Sequence, residues 1–212
     1  IGANAVGSRV NGASQTTVEA WFRPDALPTS GNRARIINFA MASNSLSSYI
    51  LNLWNDAGTV KLDVGGRSIS TDTYQAANTP WTLGTGTWHH VAGVFNYASD
   101  TISLYLDGNL IVTQPVTFNS TTYVTGNPTA GAEDVLGAYR FSSSNGHYWN
   151  GGIDDVRVYN YARTQAEIQA DKDNVAGPTV VAGQYGNARS FNGASDYVTV
   201  SSPTGLPTGS VA

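Results

Sequence analysis

Ile102-Ser103-Leu104-Tyr105-Leu106-Asp107-Gly108-Asn109-Leu110-Ile111-Val112 is two apolar runs joined by Asp-Gly, the first of them strictly alternating. A period of two marks a strand with one buried face, and Asp-Gly supplies the positive φ of a tight turn, so the stretch predicts a β-hairpin. Outward from it the same texture recurs. Strands are expected at Thr17–Phe22, Ala34–Ala40, Ser48–Trp54, Thr59–Val64, His89–Phe95, Thr101–Leu106, Leu110–Thr113, Asp134–Tyr139 and Asp154–Tyr159. Arg23-Pro24-Asp25 ends the first of these, because proline cannot donate to a ladder. One segment reads as helical: Thr164 as N-cap, with Glu167 three residues on, forms a capping box that opens a short helix near 164–170. The fold class is therefore all-β, with one short helix.

Composition bounds the partners. At 212 residues one core suffices, and 41% hydrophobic residues can build it. Charged residues are only 12%, so the surface must be polar without being charged. A net charge of −4 and only two lysines, Lys61 and Lys172, leave no basic stripe for phosphates, which excludes nucleic acid as a partner. No apolar run is long enough to span a bilayer, so no membrane insertion is expected. The start Ile1-Gly2-Ala3-Asn4 reads as a processed or excised end. With no cysteine there are no disulfides, and a lysine-poor surface rich in Ser, Thr and Asn points to an extracellular or cell-surface location in a prokaryote.

Three stretches are specific together: Thr87-Trp88-His89-His90-Val91-Ala92-Gly93-Val94-Phe95, Ile102-Ser103-Leu104-Tyr105-Leu106-Asp107-Gly108, and Gly152-Ile153-Asp154-Asp155-Val156-Arg157-Val158-Tyr159-Asn160. They resemble the laminin G-like (LamG) branch of the concanavalin A-like lectin/glucanase superfamily. The resemblance implies a jelly-roll sandwich of two antiparallel sheets, found in extracellular modules that bind glycans, adhere or space other domains. It also exposes an anomaly of order. The family's opening strand, aromatic-Asp-Gly followed by Asp-Tyr-Val, has its best counterpart at the far end, in Ser190-Phe191-Asn192-Gly193-Ala194-Ser195-Asp196-Tyr197-Val198. The N-terminal Asn11-Gly12-Ala13-Ser14 echoes only part of it.

The chain is accordingly divided into a jelly roll over 1–174, a linker over 175–187, and a C-terminal strand and tail over 188–212 that completes a sandwich. That sandwich is either its own or a neighbour's. Donation to the next copy, through Phe191, Asp196, Tyr197, Val198 and Val200, gives a head-to-tail homopolymer and, unless the rotation closes, a filament. The alternative is a monomeric carbohydrate-binding module closed by its own tail.

Candidate sites are few. Tyr139, Arg140, Asn145, Tyr148 and Trp149 supply the aromatic and amide groups of a glycan site, although Trp149, like Trp21 and Trp88, also reads as core. Asp154 shares strand parity with Val156 and Val158 and is expected to face the core, where with Asp196 it would ligate Ca²⁺ or bond turn backbone. His89 and His90 are strand neighbours whose rings leave on opposite faces, and His147 stands alone, so none makes a metal site. The acidic pairs Glu133-Asp134 and Asp154-Asp155 are adjacent, not alternating as a glycosidase pair requires, and no nucleophile elbow exists. The chain is thus read as non-enzymatic. Asn119-Ser120-Thr121 is its one glycosylation sequon.

Overall fold

The computed structural model describes residues 5–43, 46–126, 133–141, 144–173, 179–183 and 186–190. In chain order the elements are α1 (Ala5–Val10), β1 (Gln15–Pro24), β2 (Arg33–Ser43), β3 (Leu46–Asp56), β4 (Thr59–Gly66), β5 (Gln75–Pro80), β6 (His89–Asn96), β7 (Thr101–Leu106), β8 (Asn109–Pro115), β9 (Val135–Leu136), β10 (Tyr139–Phe141), β11 (Ser144–Gly146), β12 (Gly151–Tyr159), α2 (Gln165–Asp173), β13 (Thr179–Gly183) and β14 (Gly186–Ser190). Two five-stranded antiparallel sheets, ordered β12-β1-β6-β7-β8 and β5-β4-β3-β2-β9, make the sandwich that the resemblance implies. The chain divides into two units, Ile1–Lys172 and Asp173–Ala212.

Alternation explains the core. Val18, Ala20 and Phe22 of β1 and Val91 and Phe95 of β6 face Phe39, Leu51, Leu53, Leu62 and Val64 of the other sheet, all fully buried or nearly so. The sheets approach so closely that a Cβ on Gly93 would collide with the Val64 side chain. At one end of the core, Tyr49 Oη donates to Thr16 Oγ1 at 3.0 Å, and Tyr97 Oη lies 3.1 Å from both. Three buried hydroxyls thereby satisfy one another across the sheets, and burial raises both phenol pKa values.

The hairpin that opened the sequence reading is β7–β8, with Asp107 at φ 51° and Gly108 at φ 78° in its turn. The Asp107 carboxylate also accepts the His90 N–H at 2.9 Å, which ties the turn to the start of β6. The expected capping box opens α2: Glu167 N–H donates to Thr164 Oγ1 and Thr164 N–H to Glu167 Oε2. Ile168 then packs on Ala92 and Val94, on the outer face of the first sheet.

Several expectations are corrected. A second helix, α1, forms just before Asn11-Gly12-Ala13-Ser14, which is turn and not strand: Val10 is buried in the core, and Val6 N–H donates to Asp134 Oδ2 at 2.9 Å. The strand expected at Asp134–Tyr139 is two pieces, because Gly137 at φ 74° turns the chain between them; the buried Asp134 carboxylate, just ahead of β9, accepts the amides of Val6 and Ala40. Asp154 is exposed and does not face the core. A bulge in the β1–β12 register, with Asp155 at φ 46°, inserts one residue and reverses the parity. Trp88 is 40% exposed and lies beneath the Arg23 guanidinium at 5.4 Å, and Trp21 packs edge-on to His90 outside the core. Within the second unit, β13 and β14 pair as a hairpin, so part of the expected linker is strand. Phe191, Asp196, Tyr197, Val198 and Val200 lie outside the described residues.

Candidate functional site

The first site is a hollow of about 300 Å³ beside the β1–β2 turn. Pro24 ends β1, and the chain returns through Leu27, Pro28 and Thr29 to Asn32 and Arg33. Asn55 holds this turn in place, its N–H bonding Asn32 O at 3.0 Å and its side-chain amide Pro28 O at 2.8 Å. The facing wall is the loop from His147 to Asn150. Its carbonyls at His147 and Asn150 accept the amides of Arg35 and Asp25, each at 2.9 Å. Tyr148, at 66% exposure, projects from that strapped loop.

The lining brings an aromatic ring together with the amides of Asn32 and Asn150 and the cation of Arg33. Of the five side chains expected to make a glycan site, Tyr148 lines the hollow. Trp149 turns inward, its ring 5.9 Å from Phe22 and its indole N–H on Gly152 O, so it serves the core. Tyr139 lies 5.7 Å from the Arg35 guanidinium and 5.7 Å from His147, behind the hollow. The backbones of Arg140 and Asn145 pair across the β10–β11 hairpin. Asn32 and Arg33 escaped the sequence reading because they sit over a hundred positions from Tyr148, and only tertiary main-chain bonds bring them together.

Behind the hollow, the outer face of the second sheet carries a buried polar relay. Arg35 Nη1 donates to Asn52 Oδ1, Asn52 Nδ2 to Asp63 Oδ2 at 3.2 Å, and Tyr74 Oη to the same carboxylate oxygen at 2.7 Å. Burial pushes the Asp63 carboxyl up and the Arg35 guanidinium down, each opposed by the other's charge. The relay fixes the strand that presents Arg33. Nearby, Arg33 stacks over Trp54 at 4.4 Å.

A second group of titratable residues lies under α2. Glu19 is fully buried, neither of its carboxyl oxygens has a hydrogen-bond partner among the described residues, and His90 Nε2 is 3.7 Å away. Burial, reinforced by Asp171 of α2, raises Glu19 to about 8, whereas burial lowers His90 to about 4. Arg157 and Arg163 both pair with Asp171, and Tyr159 donates to it at 3.1 Å. This cluster pins helix to sheet, and of its members Tyr159 also lines the cleft beside β12.

The third feature is the free side of β12. It is the edge strand of its sheet, and none of its residues is fully buried, whereas β6 is buried from His89 to Phe95. A cleft of about 420 Å³ separates it from α1, lined by Val6, Arg9, Val10, Val158, Tyr159 and Asn160. Asp154 Oδ1 takes the Asp155 N–H at 2.8 Å, and among the described residues no group of three His, Asp or Glu side chains is arranged to hold a metal ion. Neither described helix is long and apolar enough to cross a membrane.

A family model described as concanavalin A-like lectin/glucanases superfamily, of the laminin G type, matches residues 2–169. The chain belongs to that superfamily. No curated protein matches it. Among solved structures, it is similar to the CBM40 of the Ruminococcus gnavus IT-sialidase, at 16% identity over 77% of this chain and 85% of that one, with a TM-score of 0.57. A heptameric SAP-like pentraxin from Limulus polyphemus matches at 18% identity over 76% and 70% of the two chains, with a TM-score of 0.51. A candidate carbohydrate-binding protein from Bacteroides ovatus matches at 18% identity and a TM-score of 0.54, over 75% of this superfamily member but only 41% of its own length. At such identities these likenesses concern the fold.

Proposed function

We propose that this chain is a non-catalytic, extracellular carbohydrate-binding and adhesive module that seats a glycan in the hollow beside Tyr148. One observation carries the reading: an aromatic ring left 66% exposed on a loop strapped by main-chain hydrogen bonds, with two amides beside it. A solvated aromatic on a rigid support is what a sugar's C–H face requires, and amides answer its hydroxyls. The likeness to a CBM40 that is also known bound to α2,3-sialyllactose supports the same class. The test is a glycan array with the full chain and Tyr148→Ala. Loss of a stacking contact of about 1.4 kcal/mol lowers affinity about tenfold. An empty array, or binding untouched by the substitution, would overturn the reading.

A second reading is favoured by β12. An edge strand with a half-open cleft beside it accepts strand addition, and the opening-strand pattern lies in the C-terminal segment. We propose that Phe191–Val200 of a second copy adds to this edge, joining copies head to tail. Since Ala188–Ser190 pairs within the β13–β14 hairpin, the donated part begins at Phe191. Helix α1 already fills part of that side through Val10, so the strand would lie along β12 outside it. Deleting Asn187–Ala212 abolishes long assemblies in electron micrographs if this holds, and unchanged assembly refutes it.

A further inference from the structure

We infer that the hollow takes a sugar acid, a pyranose bearing a carboxylate, through the Arg33 guanidinium. The inference rests on the glycan reading and narrows it. Two cations flank the Trp54 ring, Arg33 at 4.4 Å and Lys61 at 5.4 Å. Lys61 is already matched by Asp56 at 2.8 Å. Among the described residues the Arg33 guanidinium has neither an ion-pair partner nor a hydrogen-bond acceptor. Stacking on the indole fixes the plane of the guanidinium and leaves its edge, with its N–H donors, uncommitted.

The surroundings favour an anion there. Among the described residues lining the hollow none is a carboxylate, and His147 is kept uncharged near neutrality by burial and by the positive Arg35 and Arg33. Arg33 is therefore the one charge among the described lining residues, in a molecule whose net charge is −4. A carboxylate meets a guanidinium fork with two parallel charge-assisted bonds, whereas a neutral sugar offers hydroxyls that bind more weakly. Tyr148 would receive the ring face, and Asn150 and Asn32 its hydroxyls. Asn32 is held for this by its own bond to Thr29 Oγ1 at 2.8 Å.

The test titrates the full chain with four probes: sialyllactose and polygalacturonate, which carry carboxylates, dextran sulfate, which carries sulfate only, and lactose, which is neutral. Either carboxylated probe should bind, more weakly as salt rises. Arg33→Gln should reduce that binding tenfold or more, Arg33→Lys should fall between, and Lys172→Gln, on α2 and outside both clefts, should change nothing; thermal melts confirm that each variant folds. Lactose bound as tightly as the acids, with Arg33→Gln harmless, overturns the inference and leaves the glycan reading standing. Dextran sulfate bound as tightly, and equally weakened by Lys172→Gln and Arg33→Gln, shows diffuse charge attraction and also overturns it. Silence with every probe and on a glycan array removes both.

Discussion

Replacing Glu19 by Gln should make the fold more stable in weak alkali and flatten its dependence on pH. Glu19 lies on the outer face of β1 under α2, faced by His90 of β6, Arg157 and Tyr159 of β12 and Asp171 of α2. With its carboxyl raised from 4.5 to about 8, the folded chain keeps a proton that the unfolded chain releases. Stability is therefore fully present below the unfolded value and declines as pH rises from 4.5 towards 8. His90, lowered from 6.5 to about 4, acts in the other direction, costing stability as pH falls through that window. Between pH 6.5 and 8 the glutamate acts nearly alone. At about 1.4 kcal/mol per pH unit, the wild type should lose about 2 kcal/mol across that interval, or about 4–8 °C in Tm for a domain of this size. Glu19→Gln carries no ionisable proton and should show no such slope. Urea titrations at pH 6.5, 7.2 and 8 measure it. A wild type level across the interval, or a variant with the same slope, would refute the assignment of that proton to Glu19.

Three packing predictions follow from the core. Phe22→Ala empties a site walled by Trp81, His89 and Trp149 and should cost about 3–5 kcal/mol in chemical denaturation. Gly93→Ala places a methyl against Val64 where the sheets meet, and should cost about 1–3 kcal/mol with an unchanged m-value. Tyr49→Phe removes one hydroxyl of the buried trio while Thr16 and Tyr97 keep their mutual bond, so its cost should be nearer 1 kcal/mol, read as a shift in denaturation midpoint.

The strands were legible where alternation and turn chemistry coincide, as in β7–β8. Strand β5 was not, since Gln75-Ala76-Ala77-Asn78-Thr79-Pro80 has little β-branched content and buries only Ala77. Helix α1 is six residues long with a glycine inside, too short to stand by local propensity. It is held by the Asp134 carboxylate and by burial of Val10, neither visible in its own sequence. The parity of Asp154 failed because one residue in a left-handed conformation inverts every face that follows it. At the site, Tyr148 could be named because aromatic and amide residues cluster in its stretch of sequence. Its partners could not, because a strand start and a distant loop are joined by the bond from Arg35 to His147 O.

That last bond is one of several that shape the hollow, and most of them run between main-chain atoms, as from Asn55 to Asn32, Arg35 to His147 and Asp25 to Asn150. A scaffold held this way is indifferent to what hangs from it. Tyr148, Arg33 and Asn150 could be exchanged in descendants without unseating the loops, so ligand preference can drift quickly while the frame stays put, and engineered libraries at these three positions should remain foldable.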